Sequence, residues 1–148
     1  MALAAKTDKQ DHMIFCICSD GEQDEGQTWE AVLSASKYKL NNLIVVLDRN
    51  NIQISGNTER IMPLIPLAKK YQSFGWNVID IDGHSIYEIW QALAESRSSV
   101  EKPTVIIANT VPGKGVSFMQ GSYKWHGRAP QGEEVTKALK ELELAHNK

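Results

Sequence analysis

Four short apolar runs punctuate the chain: Met13–Cys18, Leu43–Leu47, Trp76–Ile81 and Thr104–Ala108. Each is bounded by polar or turn-forming residues and is too short for a helix, so each reads as a buried strand. Between them the apolar spacing turns helical. From Thr28 to Leu40, Trp29, Val32, Leu33 and Leu40 share roughly one face. Leu64–Phe74 reads as a short helix that Gly75 ends. Ser85 and Glu88 form a capping box ahead of a third helix. In it Ile86, Ile89, Trp90, Leu93 and Ala94 recur at i, i+3, i+4, i+7 and i+8. A last amphipathic helix uses Val135, Ala138, Leu139 and Leu142. Segments 49–57 and 110–132 read as loops.

Alternation of helices with strands this apolar predicts an α/β fold, a parallel sheet buried on both faces by flanking helices. Its crossovers should be right-handed. No repeat or linker interrupts the pattern, so residues 1–148 are expected to form a single domain. In open parallel sheets ligands sit beyond the carboxyl ends of the strands. That directs attention to segments 19–27, 48–57, 82–85 and 109–132.

Charge and composition narrow the function classes. Lys plus Arg number 16 against 18 Asp plus Glu, a net charge of −2. This does not suggest a nucleic-acid or membrane-surface partner. No apolar run approaches the roughly 18 residues that span a bilayer, and the first residues are too polar for a signal peptide. Cys16 and Cys18 alternate with apolar residues, so in a strand they share a face and cannot easily bridge each other. They are expected to be buried and inert, in a cytoplasmic protein free of disulfides.

The first strand-end segment carries five acids from Asp20 to Glu30 and no base. Complementarity to a helix N-terminus accounts for Asp24 and Glu25, but not for Asp20-Gly21 directly at the strand end. Glycine there permits close backbone approach or a positive φ. A strand end followed by a helix N-terminus also suits phosphate. Phosphate beside so many carboxylates needs a divalent cation between them. Asn50, just past the second apolar run, offers the neutral hard oxygen such a cation takes, although Asn50-Asn51 also reads as a simple turn. Asp20 and Asn50 are one strand–helix–strand unit apart, so adjacent parallel strands would bring them together.

These residues resemble a family. Ser19-Asp20-Gly21 followed at this distance by Asn50 resembles the thiamine-diphosphate signature. With it, DGEQDEGQTWEA, YKLNNLIVVLDRN, FGWNVIDIDGH, KPTVIIANTVPGKG and WHGRAP resemble transketolase, in particular the N-terminal subunit of transketolases split into two chains. The resemblance implies a partial thiamine-diphosphate-binding fold and the transfer of a two-carbon ketol unit from a ketose phosphate to an aldose phosphate. Another thiamine enzyme, such as a deoxyxylulose-phosphate synthase, or a non-catalytic assembly module, stays open as an alternative.

It also implies roles for single residues. Asp20, Asn50 and the backbone carbonyl of Ile52 match Mg²⁺ ligands. Gly21 and Glu22 match positions along the diphosphate of thiamine diphosphate. His126 matches a histidine facing both the diphosphate and the substrate, and is the expected catalytic residue. Glu25 and Glu30 match glutamates at a dimer interface, so an oligomer is expected. Pro112 matches a cofactor-side position where relatives often carry lysine, and Ser19 stands where the family signature has glycine. The first residues resemble the middle of a family helix, which implies an N-terminally truncated diphosphate half. The expected partner is a C-terminal transketolase subunit or a pyrimidine-binding domain, and such a chain alone is expected to show no ketol transfer.

Overall fold

A computed structural model describes residues 1–146 of the chain. Its sheet has four parallel strands: β1 (Ile14–Ser19), β2 (Leu43–Arg49), β5 (Asn77–Asp82) and β6 (Thr104–Asn109), in the order β1-β2-β6-β5. The register sets Ser19 beside Asp48, Arg49 beside Asn109, and Asn109 beside Asp82. The carboxyl ends therefore finish level, and the loops leaving them share one rim of the sheet. The α/β reading with a parallel sheet and flanking helices holds.

The two faces of the central strands carry two cores. Val45 and Leu47 of β2 with Val105 and Ile107 of β6 meet α2 (Gly26–Lys37) and α4 (Leu67–Ser73) through Val32, Ala35, Leu67 and Tyr71. On the other face Ile44, Ile106 and Ala108 meet Ala92 of α5 (Ile86–Ser96). Alternation along each strand divides the side chains this way. Gly75 adopts φ +86 and ends α4, as its position after the helix predicts. Flanking helices α1 (Ala2–Thr7) and α6 (Glu133–His146) complete the described elements of that class, together with a short one introduced below. Among the described residues no helix is long and apolar enough to cross a membrane.

Four expectations need correction. The strands are not all buried on both faces: β1 lies at a sheet edge, and Phe15, Cys16 and Ile17 are exposed, Ile17 at 79%. For the same reason the cysteines are not a buried pair. Cys16 is exposed and Cys18 half-buried, their sulfurs unbridged 3.7 Å apart. On α5 the packed face follows Ile89, Ala92 and Leu93, while Ile86 and Trp90 point outward. The apolar residues there form two adjacent stripes, and spacing alone does not say which one meets the sheet. Finally, the 49–57 loop contains a small antiparallel hairpin, β3 (Ile52–Gln53) with β4 (Gly56–Asn57), followed by one helical turn, α3 (Thr58–Ile61).

The capping box at Ser85 forms by half. Ser85 Oγ accepts from the Glu88 N–H at 3.3 Å, but the Glu88 carboxylate accepts from the Asp82 N–H at 2.8 Å. It thereby ties α5 to the end of β5.

Two substitutions test this packing. Tyr71 is 1% exposed and donates its hydroxyl hydrogen to Gln23 Oε1 at 2.8 Å. Tyr71→Phe strands a buried acceptor and is expected to lower stability by about 1–3 kcal/mol in urea unfolding. At Gly83, a Cβ would sit 2.6 Å from Thr110 Cγ2 and 3.1 Å from the Asn109 carbonyl oxygen. Gly83→Ala is therefore expected to lower the melting temperature, by an overpacking penalty of about 1–3 kcal/mol. An unchanged melting curve would refute the close packing of these two strand ends.

Candidate functional site

The site begins where β1 stops. Asp20 opens a 3-10 turn (Gly21–Asp24), and α2 follows. Gln23, 1% exposed, folds back: its Nε2 donates to the Ser19 carbonyl at 3.2 Å. The Trp29 indole N–H donates to the Gln23 carbonyl at 2.8 Å. Ser19, where the signature has glycine, finds a use for its side chain. Its N–H and its hydroxyl both donate to Glu22 Oε2, at 2.7 and 3.1 Å. Gly21 does not adopt a positive φ, and among the described residues nothing beyond its two chain neighbours lies within 4 Å of where its Cβ would be. What glycine provides there is open space.

Asp20 is fully buried. Its Oδ2 accepts three hydrogen bonds: from Arg49 Nη1 at 2.7 Å, from the Asn51 N–H at 2.7 Å and from the Thr58 hydroxyl at 3.1 Å. Its Oδ1 is buried and has no partner among the described residues. Burial pushes the carboxyl above its usual range, and the Arg49 charge and the donors on Oδ2 pull against that shift. Arg49 is itself 5% exposed, and its Nη2 donates to Glu59 Oε1. Glu59 also accepts from the Leu64 N–H at 3.2 Å and the Ile65 N–H at 3.4 Å. Partial burial raises the Glu59 carboxyl, but these donors outweigh it and leave it below its ordinary value.

The segment after β2 is shaped by its own side chains. Asn50 Oδ1 accepts from the Ile52 N–H at 3.0 Å, an Asx turn. Asn51 takes φ +63, a left-handed conformation that Asn tolerates better than most residues. The simple-turn reading of Asn50-Asn51 is thus correct as far as it goes, and the same turn brings Asn50 to the strand ends. Thr58 and Glu59 follow the hairpin at the start of α3, where Asn57 Oδ1 caps the helix by accepting from the Glu59 N–H at 3.1 Å.

His126 arrives from far along the chain. It follows a 3-10 turn (Tyr123–Trp125) that packs against β4. Trp125 donates its indole N–H to the Phe118 carbonyl at 3.0 Å. The Arg128 guanidinium lies 4.4 Å over the Trp125 ring and pairs with Glu134 of α6. The histidine is exposed, on a loop held from both sides.

A cavity of about 370 Å³ gathers these pieces. Gly21, Glu22, Asn50, Ile52 and His126 all line it, with Ser19, Glu25 and Gln53. Asp20 is not on the lining but stands in the chain between two residues that are. Pro112 is not among the lining residues; its carbonyl accepts from the Gly121 N–H at 2.8 Å and closes the 112–121 loop. Lys114 faces a second open cavity shared with His84. His84 Nε2 accepts from the Val111 N–H at 2.8 Å, so its role is to join two rim loops.

The donor set suits a hard cation. Among the described residues no three His, Cys, Asp or Glu side chains cluster to hold a metal. Asp20, Asn50 and the Ile52 carbonyl are a different kind of set, one carboxylate with neutral oxygens, of the sort Mg²⁺ takes when a phosphate completes its shell. The unpartnered buried Oδ1 of Asp20 and the open space at Gly21 both fit a cation held against an anionic ligand.

Arg49, Thr58 and Glu59 are the residues that sequence reasoning missed. Arg49 sits one residue beyond Asp48, at the end of an apolar strand, a place where an unexplained charge signals a buried partner.

Comparison with known proteins agrees with this geometry. The family model "Transketolase, thiamine diphosphate binding domain" matches residues 3–148. The chain is 39% identical over 142 residues to an apulose-4-phosphate transketolase subunit of Phocaeicola vulgatus, covering 96% of this chain and 50% of that one. It is 43% identical over 143 residues to 6-deoxy-6-sulfo-D-fructose transketolase subunit SqwG of Clostridium sp. strain MSTE9, covering 97% and 52%. The crystal structure of Campylobacter jejuni transketolase superimposes with a TM-score of 0.84 at 38% identity, over 96% of this chain and 23% of that one. The chain thus spans about half the length of the two subunits it matches. With fold, strand-end loops and sequence in agreement, the chain belongs to the transketolase family, through its thiamine diphosphate-binding domain.

Proposed function

We propose that this chain holds the diphosphate end of thiamine diphosphate through Mg²⁺, as part of a two-chain transketolase that passes a ketol unit between sugar phosphates. The observation that carries this reading is the convergence of Gly21, Glu22, Asn50, Ile52 and His126 on one cavity at the strand ends, beside a buried carboxylate with one oxygen unpartnered. The partner is a second chain bearing the pyrimidine-binding domain. Relatives whose names make them single subunits of a transketolase support that assignment.

In this reading Asp20 through Oδ1, Asn50 and the Ile52 carbonyl would hold the cation. The open space at Gly21 would leave room for the diphosphate beside the acidic loop. Thiamine diphosphate, when bound, supplies the carbanion chemistry that cleaves a ketose beside its carbonyl. His126 reaches the same cavity from another loop, and its imidazole is placed to hold or move a proton at the substrate oxygen. The Trp125–Arg128–Glu134 contacts keep that imidazole in place.

The tests separate binding from turnover. Asp20→Ala is expected to abolish Mg²⁺-dependent binding of thiamine diphosphate in calorimetry, because it removes the one charged ligand. Asn50→Ala is expected to weaken binding in the same direction but less. Wild-type cofactor affinity in Asp20→Ala would defeat the metal assignment. His126→Ala is expected to reduce ketol transfer by about 10²-fold or more in the chain mixed with a C-terminal subunit. Its melting temperature should barely change, since an exposed loop residue leaves no core cavity.

A further inference from the structure

We propose that Arg49 is a positioning residue of the cation site: by fixing Oδ2 of Asp20 it leaves Oδ1 as the single carboxylate oxygen offered to the metal. The inference rests on the cation reading above and goes beyond it, because Arg49 is not itself a ligand.

A carboxylate has two equivalent oxygens, and rotation about its last side-chain bond exchanges them. Here the two are made different. Oδ2 carries three donors, and Oδ1 carries none among the described residues. All three donors come from one stretch of chain, Arg49 to Thr58. The Asn51 N–H belongs to a turn that starts just after Arg49, and Thr58 follows the short hairpin beyond it. Arg49 is the anchor because both ends of its planar guanidinium are used. One nitrogen holds Asp20 and the other holds Glu59, and Glu59 is fixed in turn by the N–H groups of Leu64 and Ile65.

The chain from Leu64 to Asp20 is therefore continuous, and it is 6% exposed or less at Arg49 and Asp20. Lysine cannot replace this arrangement, since a compact ammonium does not span two carboxylates in fixed geometry. Arg49 also directly precedes Asn50. Pinning its side chain pins the peptide that delivers the second ligand.

The charge of the group matters as well. Asp20 and Glu59 bring two negative charges and Arg49 one positive, so the cluster keeps a single net negative charge for the cation. A site offering one carboxylate oxygen with neutral oxygens would suit Mg²⁺, the smaller cation, which prefers octahedral oxygen coordination. A carboxylate free to turn both oxygens to the metal favours Ca²⁺, which accepts bidentate ligation and longer bonds.

The test titrates Mg²⁺ and then Ca²⁺ into the full chain with thiamine diphosphate, reading cofactor binding by calorimetry and folding by circular dichroism. In Arg49→Met the Mg²⁺ concentration for half-saturation is expected to rise by about 10- to 100-fold, the range typical of lost outer-sphere support. The Ca²⁺ value should rise less, so the preference between the metals moves toward Ca²⁺. Arg49→Lys keeps the buried charge and folds more readily, and it should show the same shift in preference. If Arg49 were merely structural, both variants would melt lower while their folded molecules kept the wild-type Mg²⁺-to-Ca²⁺ ratio. That result overturns the proposal alone. A wild-type chain that binds the cofactor with no dependence on either metal overturns the cation reading and this proposal together.

Discussion

A carboxylate withdrawn from water must be answered by its surroundings, and the burial of Asp20 is the constraint on which this site depends. An unpaired buried charge costs several kcal/mol. The answer comes from three places in the chain: the end of β2, the turn after it and the start of α3. Satisfying one side chain therefore folds the whole segment from Arg49 to Thr58 around the end of β1. The hairpin β3–β4 is too short to hold itself together as an isolated unit. It is ordered because both of its flanks are tied to the same buried oxygen.

The rest of the rim is fastened by the same logic at lower stakes. Thr110 donates to Asp48, His84 accepts from Val111, and the Glu88 carboxylate holds the last residue of β5. Each bond joins neighbouring parts of the rim, and the level register of the sheet makes them reachable. Function in such folds sits where independent loops meet. Here the loops are cross-linked to one another by the chain's own side chains.

Much of this was legible in the chain, for physical reasons. The central strands carry unbroken apolar runs, Leu43–Leu47 in β2 and Val105–Ala108 in β6, because helices cover both faces, and a run of that kind is hard to misread. Asp20-Gly21 and Asn50 stood out because an acid, a glycine and an amide at strand ends serve no packing purpose. His126 was found through resemblance and not through periodicity, since a loop has no period. Pro112 was placed on the cofactor side by the same resemblance, and it is not among the residues that line the strand-end cavity. What stayed hidden were contacts between residues far apart in the sequence. Glu59 reads as an ordinary first-turn acid of a helix until Arg49 is seen against it. Nor does spacing reveal that Ile86 and Trp90 lie outside the packed stripe of α5, because both stripes are apolar. The exposure of β1 followed from strand order, which apolar runs alone do not encode.

The amide of Asn51 carries a consequence in time as well as in space. Its hydrogen points at a fully buried oxygen, in a segment that otherwise offers few backbone pairings. Exchange of that hydrogen with solvent requires the Asp20 cluster to open, not only the loop to fray. The protein thus contains a built-in clock, one amide whose exchange rate measures how often the strand-end site comes apart.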